Sequence, residues 1–236
     1  MGRHQQRLPT FNTAKSTLYR TRRNQTPSLL KTIADIRQQG KWTETELGDI
    51  FHFLDDTFQN NRTIAFATTE NLQDLAASET FFCNRTFYTS PSLFYQIYTI
   101  HILTDDVMTP VVYALLPGKG QAIYTRFFTL LRDCINDLGL RFSPTNAPAN
   151  FETAVHNSII EVFPGITTKR CFFHYTQVIC RKVQRTGLQI PYRDVANVKT
   201  LDRRTAVLPL VPLDSMEDVW FRALEDRDEA DLTAMT

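Results

Sequence analysis

One pair of residues in this chain has the spacing of metal ligands. Cys171 and His174 lie three positions apart, and Cys180 or His156 could add a further sulfur or imidazole donor. Zn²⁺ prefers four such donors in a tetrahedral arrangement. The cysteines form no CxxC pair, however, which is the spacing that most often anchors a zinc site. We therefore expect a buried thiol and a hydrogen-bonded histidine here, with a zinc site as the alternative.

A basic segment near the start of the chain offers a second kind of chemistry. Arg20, Arg22 and Arg23 form its densest cluster, and no acidic residue precedes Asp35. Clusters of Lys and Arg bind nucleic-acid phosphates and gain affinity from counterion release. The segment predicts a DNA-binding arm or a nuclear-import signal. The alternative is a solvated terminus without structure, because the cluster is short and contains a single aromatic residue, Tyr19.

The end of the chain is acidic, so a net charge of +1 hides an asymmetry. The acidic residues of this end are Asp214, Glu217, Asp218, Glu225, Asp226, Asp228, Glu229 and Asp231. Such a cluster predicts the solvated face of a helix. The alternative is an interaction module whose acidic tail contacts basic partners.

Length and composition predict one main domain with appendages. The chain has 236 residues, of which 42% are hydrophobic, enough for a substantial core. The opening residues are polar and basic, and no stretch approaches the roughly 18 to 20 apolar residues of a membrane helix. Four scattered cysteines suit a reducing compartment. We therefore expect a soluble protein of the nucleus, or of the cytoplasm.

The first 61 residues are predicted to be mostly helical. Leu29, Leu30, Ile33 and Ile36 follow a helical spacing. Thr43 and Glu46 fit a capping box ahead of a second helix. The apolar residues of that second helix would be Leu47, Ile50, Phe51 and Leu54.

After residue 62 the pattern alternates between strands and helices. We predict strands at 63–67, 81–88, 94–102, 110–116, 140–150 and 169–173, and helices at 70–77, 122–137, 152–163 and 176–184. A meander of three strands followed by alternating helices and strands is typical of an RNase H-like core, an α/β fold whose mixed sheet has helices on both faces. The predicted domains are a basic region at 1–61, this core at 62–190 and a helical acidic extension at 191–236.

Several blocks of sequence resemble the core of Mutator-like element (MULE) transposases. The longest is FYTSPSLFYQIYTIHILTDDVMTPVVYALLPGK, which begins at Phe87, and further blocks are YTRFFTLL, NFETA and CFFHY. The resemblance extends over roughly residues 64 to 190, and more loosely over 8–23. It implies a DDE-type mechanism, in which three carboxylates hold two divalent metals about 3.5 to 4 Å apart and activate a nucleophile against a DNA phosphodiester.

The positions that match the family's acids do not hold acids. The family's first aspartate lies in a D-G-T-F pattern, which here reads Asn84-Arg85-Thr86-Phe87, and the second lies in T-D-F-E, which here reads Ala149-Asn150-Phe151-Glu152. An amide offers a metal a carbonyl oxygen without a charge, and Arg85 places a cation where two metal ions should lie. Glu152 occurs in the family beside the second aspartate. The resemblance thus implies that Asn84 and Asn150 are degenerate catalytic positions and that no metal cofactor is bound.

An active enzyme with shifted acids is the alternative. Glu79, Asp105, Asp106 or Glu152 could then serve a Mg²⁺- or Mn²⁺-dependent nuclease, with Glu217 or Glu225 as guesses for the third acid. Our main hypothesis is a transposase-derived nuclear protein that binds DNA without cutting it, with neither a membrane nor a small molecule as its partner. It requires Asn84 and Asn150 to meet at adjacent strand ends.

Overall fold

A computed structural model describes residues 11–25, 30–86 and 90–225, which fall into two compact units that divide between residues 39 and 40. In the first unit, helix α1 spans Phe11–Gln25. A 3-10 turn at Ile33–Asp35 follows, where the Thr32 N–H donates to the Asp35 carboxylate at 3.0 Å. The predicted helix through Leu30 to Ile36 is therefore wrong, because this cap closes a single turn and Ile36 is extended. Leu29 lies outside the described residues.

The second unit begins with a loop and a β-hairpin, where a helix was predicted after Thr43. Strand β1 spans His52–Phe58 and pairs antiparallel with β2, Asn61–Phe66. Upstream, the Thr45 hydroxyl accepts N–H bonds from Leu47 and Asp49, which turns the chain and interrupts the helical spacing. The sheet thus begins at His52, ahead of the predicted core boundary at 62.

The elements that follow lie largely where the hydrophobic pattern predicts them, as far as the fourth helix. They are α2 at Thr69–Ala77, β3 at Phe82–Thr86, β4 at Gln96–Thr104, β5 at Val107–Leu116, α3 at Gln121–Asp137 and α4 at Thr153–Val162. Thr68 caps α2, accepting from the Asn71 N–H at 3.1 Å. Gly139, just after α3, has a φ of +76°, a left-handed conformation that glycine adopts readily at the end of a helix.

The sheet is antiparallel, with the order β1-β2-β5-β4-β3. Two extended segments, 146–149 and 167–170, continue it beyond β3 through isolated parallel bridges. The Cys83 N–H donates to the Pro148 carbonyl at 3.0 Å, and the Ala149 N–H donates to the Lys169 carbonyl at 3.0 Å. These segments replace the predicted strands 140–150 and 169–173, since Pro148 has no N–H for a ladder and residues 172 and 173 are already helical.

One face of the sheet contains the main core. Tyr98, Ile100 and Val112 on that face are buried with the inner sides of α2, α3 and α4. Tyr98 makes ring contacts with Tyr124, Phe127 and Phe128 of α3. A mixed α/β fold is therefore confirmed, and strands β3, β4 and β5, followed by the two parallel segments, have the chain order that the sequence predicts.

The opposite face of the sheet is covered differently from what was predicted. Helices on both faces were expected, whereas the buried helices α2, α3 and α4 share the face just described. On the opposite face, the Phe51 ring of the preceding loop stacks on Phe66 and meets Tyr113 edge-on.

The C-terminal region is helical, as predicted. It comprises α5 at Phe172–Arg185, α6 at Gln189–Asp194, α7 at Ala196–Val207 and α8 at Met216–Glu225. The Tyr175 hydroxyl of α5 donates to the Thr205 carbonyl of α7 at 2.9 Å, which ties these helices together. The acidic residues from Asp226 onward lie outside the described residues. Within the described ranges, none of the helices is long and apolar enough to cross a membrane.

Candidate functional site

Asn84 and Asn150 lie on one cleft at the edge of the sheet. Asn84 belongs to β3, and Asn150 follows the parallel segment 146–149 that is hydrogen-bonded to β3. The cleft has a volume of about 330 Å³. Its lining residues are Asn84, Arg85, Thr86, Asn150, Phe151, Phe173, His174, Gln177, Val178 and Arg181. The structure therefore brings together the two positions at which the family resemblance places acids.

Helix α5 forms the third wall of the cleft with one of its faces. His174, Gln177 and Arg181 are spaced three and four residues apart, which places them on the same side of a helix. Phe173 also lines the cleft and is 64% exposed, and Phe172 is 41% exposed. These two phenylalanines are therefore not part of the buried core.

Glu152 is held beside the cleft by hydrogen bonds from two sides. Arg85 Nη1 lies 2.5 Å from Glu152 Oε2, and the Tyr124 hydroxyl donates to the same oxygen at 2.8 Å. Gln96, which is fully buried, donates in turn to the Tyr124 hydroxyl at 2.8 Å. Burial and the Glu152 charge raise the pKa of Tyr124. The phenol thus stays protonated and keeps donating to the carboxylate.

The amide oxygens of both asparagines are engaged with the backbone. Asn84 Oδ1 accepts from the Arg85 N–H at 2.8 Å, and Asn150 Oδ1 accepts from the Glu152 N–H at 3.2 Å. Asn84 Oδ1, Asn150 Oδ1 and Glu152 Oε2 thus each already accept a hydrogen bond. These residues do not fit a two-metal centre, which requires several converging negative oxygen ligands.

The alternative acids lie elsewhere. Glu79 is an exposed residue ahead of β3, and Asp105 and Asp106 form the β4–β5 hairpin turn with φ values of +50° and +62°. Glu217 is on α8, and the side chain of Glu225 is outside the described ones. Among the residues that the structure describes, no three His, Cys, Asp or Glu side chains converge as a metal site would require.

The four residues considered for zinc do not form such a group either. Cys171 immediately precedes α5, Cys180 is exposed, and His174 lines the cleft. The His156 ring places Nε2 2.7 Å from the Asn150 carbonyl oxygen, so it supports the turn beside the cleft. Burial, then the charges of Arg85 and Arg181, lower the pKa of His174 below its usual value, which favours the neutral imidazole.

The three arginines of the basic segment lie together on α1. Arg20, Arg22 and Arg23 are exposed, and the last two occupy the final turn of the helix, where positive charge is favourable. Lys15 Nζ lies 6.0 Å from the centre of the Tyr19 ring. The predicted basic segment is therefore a helix rather than an unstructured terminus where it is described.

Sequence reasoning missed several residues that shape the cleft. Gln177 and Arg181 follow His174 at helical spacing. Once a helix is recognised over this stretch, that spacing indicates that they lie on the same side of it. Gln96 interrupts an apolar strand at an inward-facing position, which indicates a buried hydrogen bond. The role of Tyr124 depends on a residue 28 positions away and has no local signal.

The first prediction concerns the ion pair. We expect Glu152→Gln to lower the free energy of unfolding by about 1.5–3 kcal/mol, the range for a hydrogen bond to a charged group, because Arg85 loses its partly buried counter-charge. Asp133→Asn is the control: its pair with Arg132 is more exposed, so the loss should be about 0–1 kcal/mol. Urea denaturation measures both. Equal losses would show that the Arg85–Glu152 pair is no more than a surface contact.

The second prediction concerns His174. Arg181→Gln removes a nearby positive charge that disfavours the imidazolium, so the pKa of His174 should rise towards its usual value. Arg185→Gln, an exposed change on the same helix but outside the cleft, is the matched control and should leave this pKa unchanged. NMR titration of the imidazole resonances measures the pKa. A rise of the same size in both variants would contradict a local effect of Arg181.

Comparison with known families agrees with this geometry. The family model of the MULE transposase domain matches residues 82–178, from the first residue of β3 to the middle of α5. The match includes the whole cleft lining except Arg181. Among curated proteins, no relative matches the chain. The resemblance found in the sequence is confirmed over this segment: residues 82–178 are similar to the MULE transposase domain.

Proposed function

We propose that this chain is a transposase-derived protein that binds DNA in the nucleus and does not cut or join it. The MULE transposase-like domain supports the origin. The observation behind the loss of cutting is the state of Glu152, the acid beside the cleft, whose Oε2 is bound by Arg85 and Tyr124. No metal cofactor forms part of this proposal.

The size of the electrostatic change supports the loss of strand transfer. Two unit charges 4 Å apart interact by about 4 kcal/mol at an effective dielectric of 20, so losing one carboxylate weakens metal binding by orders of magnitude. Here Asn84 and Asn150 both lack the charge, and the Arg85 guanidinium neutralises the charge of Glu152. Each of the three changes disfavours a divalent cation.

Two basic surfaces support binding to DNA. Helix α1 has no acidic residue, and its exposed arginines have the chemistry of phosphate contacts. In the second unit, the charged residues that line the cleft are Arg85 and Arg181. A DNA-binding protein of this origin would act in the nucleus.

The third prediction tests cutting. We expect no nicking of supercoiled or linear DNA by the wild-type chain with Mg²⁺ or Mn²⁺. Calorimetry should detect no tight Mn²⁺ binding, whereas Asn84→Asp combined with Asn150→Asp should gain Mn²⁺ affinity, because two carboxylates return to the cleft. Metal-dependent nicking that Glu152→Ala abolishes, in a variant with a wild-type circular dichroism spectrum, would establish the active-enzyme alternative.

The fourth prediction tests the basic helix. Changing Arg20, Arg22 and Arg23 to glutamine should weaken binding to duplex DNA and reduce the slope of log K against log salt by up to about 2.7, or about 0.9 for each phosphate that is no longer neutralised. The control neutralises three exposed basic residues of the second unit, Arg141, Lys199 and Arg203. Fluorescence anisotropy at several salt concentrations measures both. Equal slopes for the α1 variant and the wild type would exclude α1 from the DNA-binding surface.

A further inference from the structure

The cleft contains a buried hydrogen-bond donor that has no acceptor. Asn150 is 2% exposed, and its Nδ2 has no hydrogen-bond partner among the described residues. Exchanging the amide oxygen and nitrogen would not remove the problem. Oδ1 accepts the Glu152 N–H at 3.2 Å, and a flipped amide would set two donors against each other. A buried donor without an acceptor is energetically unfavourable, so such an atom beside a cleft indicates a missing acceptor.

The charge of the cleft indicates what kind of acceptor is missing. No carboxylate is among the described lining residues, whereas Arg85 and Arg181 both are. The Arg85 charge is balanced by Glu152, so Arg181 supplies the excess positive charge. Arg170 lies close by, with its guanidinium carbon 5.4 Å from the centre of the Phe151 ring. The surroundings of the Asn150 donor therefore favour an anion.

The start of helix α5 also favours an anion in the cleft. Phe173 and His174, which line the cleft, belong to its first turn, where backbone N–H groups have no partner within the helix. The first turn contains no acidic residue, and the Cys171 side chain makes no capping hydrogen bond within the described part of the chain. The N-terminus of a helix of 14 residues attracts negative charge through these N–H groups and its dipole.

We infer that this cleft, which in the family is expected to hold metal ions, binds a phosphate group directly and without a metal. Arg181 provides the charge, Asn150 Nδ2 a neutral donor, and the first turn of α5 backbone donors to the phosphate oxygens. The volume of about 330 Å³ exceeds what a phosphate alone requires. The exposed ring of Phe173 at its rim gives a sugar or base a surface for stacking. The inference rests on the proposed function, because a DNA strand would be the main source of such phosphates.

The chemistry fits two sources, a phosphodiester of a DNA strand or a free phosphate ion. Both offer negative oxygens to the same donors, but only the strand also reaches Phe173. The test therefore uses two probes, inorganic phosphate and a short single-stranded oligothymidylate, both in the presence of EDTA. The Asn150 side-chain amide and His174 imidazole resonances report on the cleft by NMR, and anisotropy gives the affinity for the oligonucleotide.

We expect the wild-type chain to shift both sets of resonances with either probe. Asn150→Asp should weaken binding of both probes by about tenfold or more, equal to about 1.4 kcal/mol, because it replaces a donor with a carboxylate that repels phosphate. Asn136→Asp makes the same charge change at an exposed position of α3, and it should alter affinity less than about twofold. Arg181→Gln is the second cleft variant, and it keeps the test decisive if Asn150→Asp fails to fold.

The outcomes separate the cleft from the basic helix. Binding of both probes, weakened by the cleft variants alone, supports a strand phosphate, and binding of inorganic phosphate alone supports a free ion. No shift with either probe, or equal losses for Arg181→Gln and Asn136→Asp, overturns the inference. If the chain binds duplex DNA with an affinity that depends on α1 and is unchanged in both cleft variants, the cleft assignment fails while the proposed function stands. If DNA is nicked in a metal-dependent way, the proposed function fails.

Discussion

The ion pair between Arg85 and Glu152 sets the shape and charge of the cleft. Arg85 lies on β3 and Glu152 immediately precedes α4, so the pair spans 67 positions of sequence. Tyr124 of α3 donates to the same carboxylate oxygen, and Gln96 of β4 donates to Tyr124. Four elements are thus linked through one partly buried carboxylate and its partners. The carboxylate requires such partners because a charge removed from water is costly unless it is paired and hydrogen-bonded.

This interaction also decides what the cleft can bind. A carboxylate oxygen that accepts hydrogen bonds from both a guanidinium and a phenol attracts a metal ion much less strongly. Because Glu152 pairs with Arg85, Arg181 is the charged lining residue whose charge is not balanced by another lining residue of the cleft. The cleft therefore presents positive charge and N–H donors where the resemblance to MULE transposases would place metal ions.

Sequence patterns predicted the central elements because those elements are strongly periodic. Helix α3 buries five residues along one of its sides, so the hydrophobic pattern predicted its position. Strand β1 was missed because Leu47, Ile50 and Leu54 imitate a helical spacing, although the first two are exposed in a loop turned by Thr45. The early start of α5 was missed because aromatic residues such as Phe172 favour strands. Arg181 lay outside the family motifs that drew attention to the site, and the pairing of Arg85 depends on tertiary structure alone.

The departures from the family pattern at positions 84, 85 and 150 are coupled by electrostatics, so they are best understood as one change. A carboxylate at position 84 or 150 would add a negative charge to the lining of the cleft that also contains Arg85, and this charge would compete with Glu152 for the guanidinium. Glu152 would then retain the Tyr124 hydroxyl but lose part of its counter-charge in a partly buried position, which is unfavourable. With amides at both asparagine positions, that competition does not arise and Arg85 stays with Glu152. The neutral amides therefore favour the ion pair between Arg85 and Glu152.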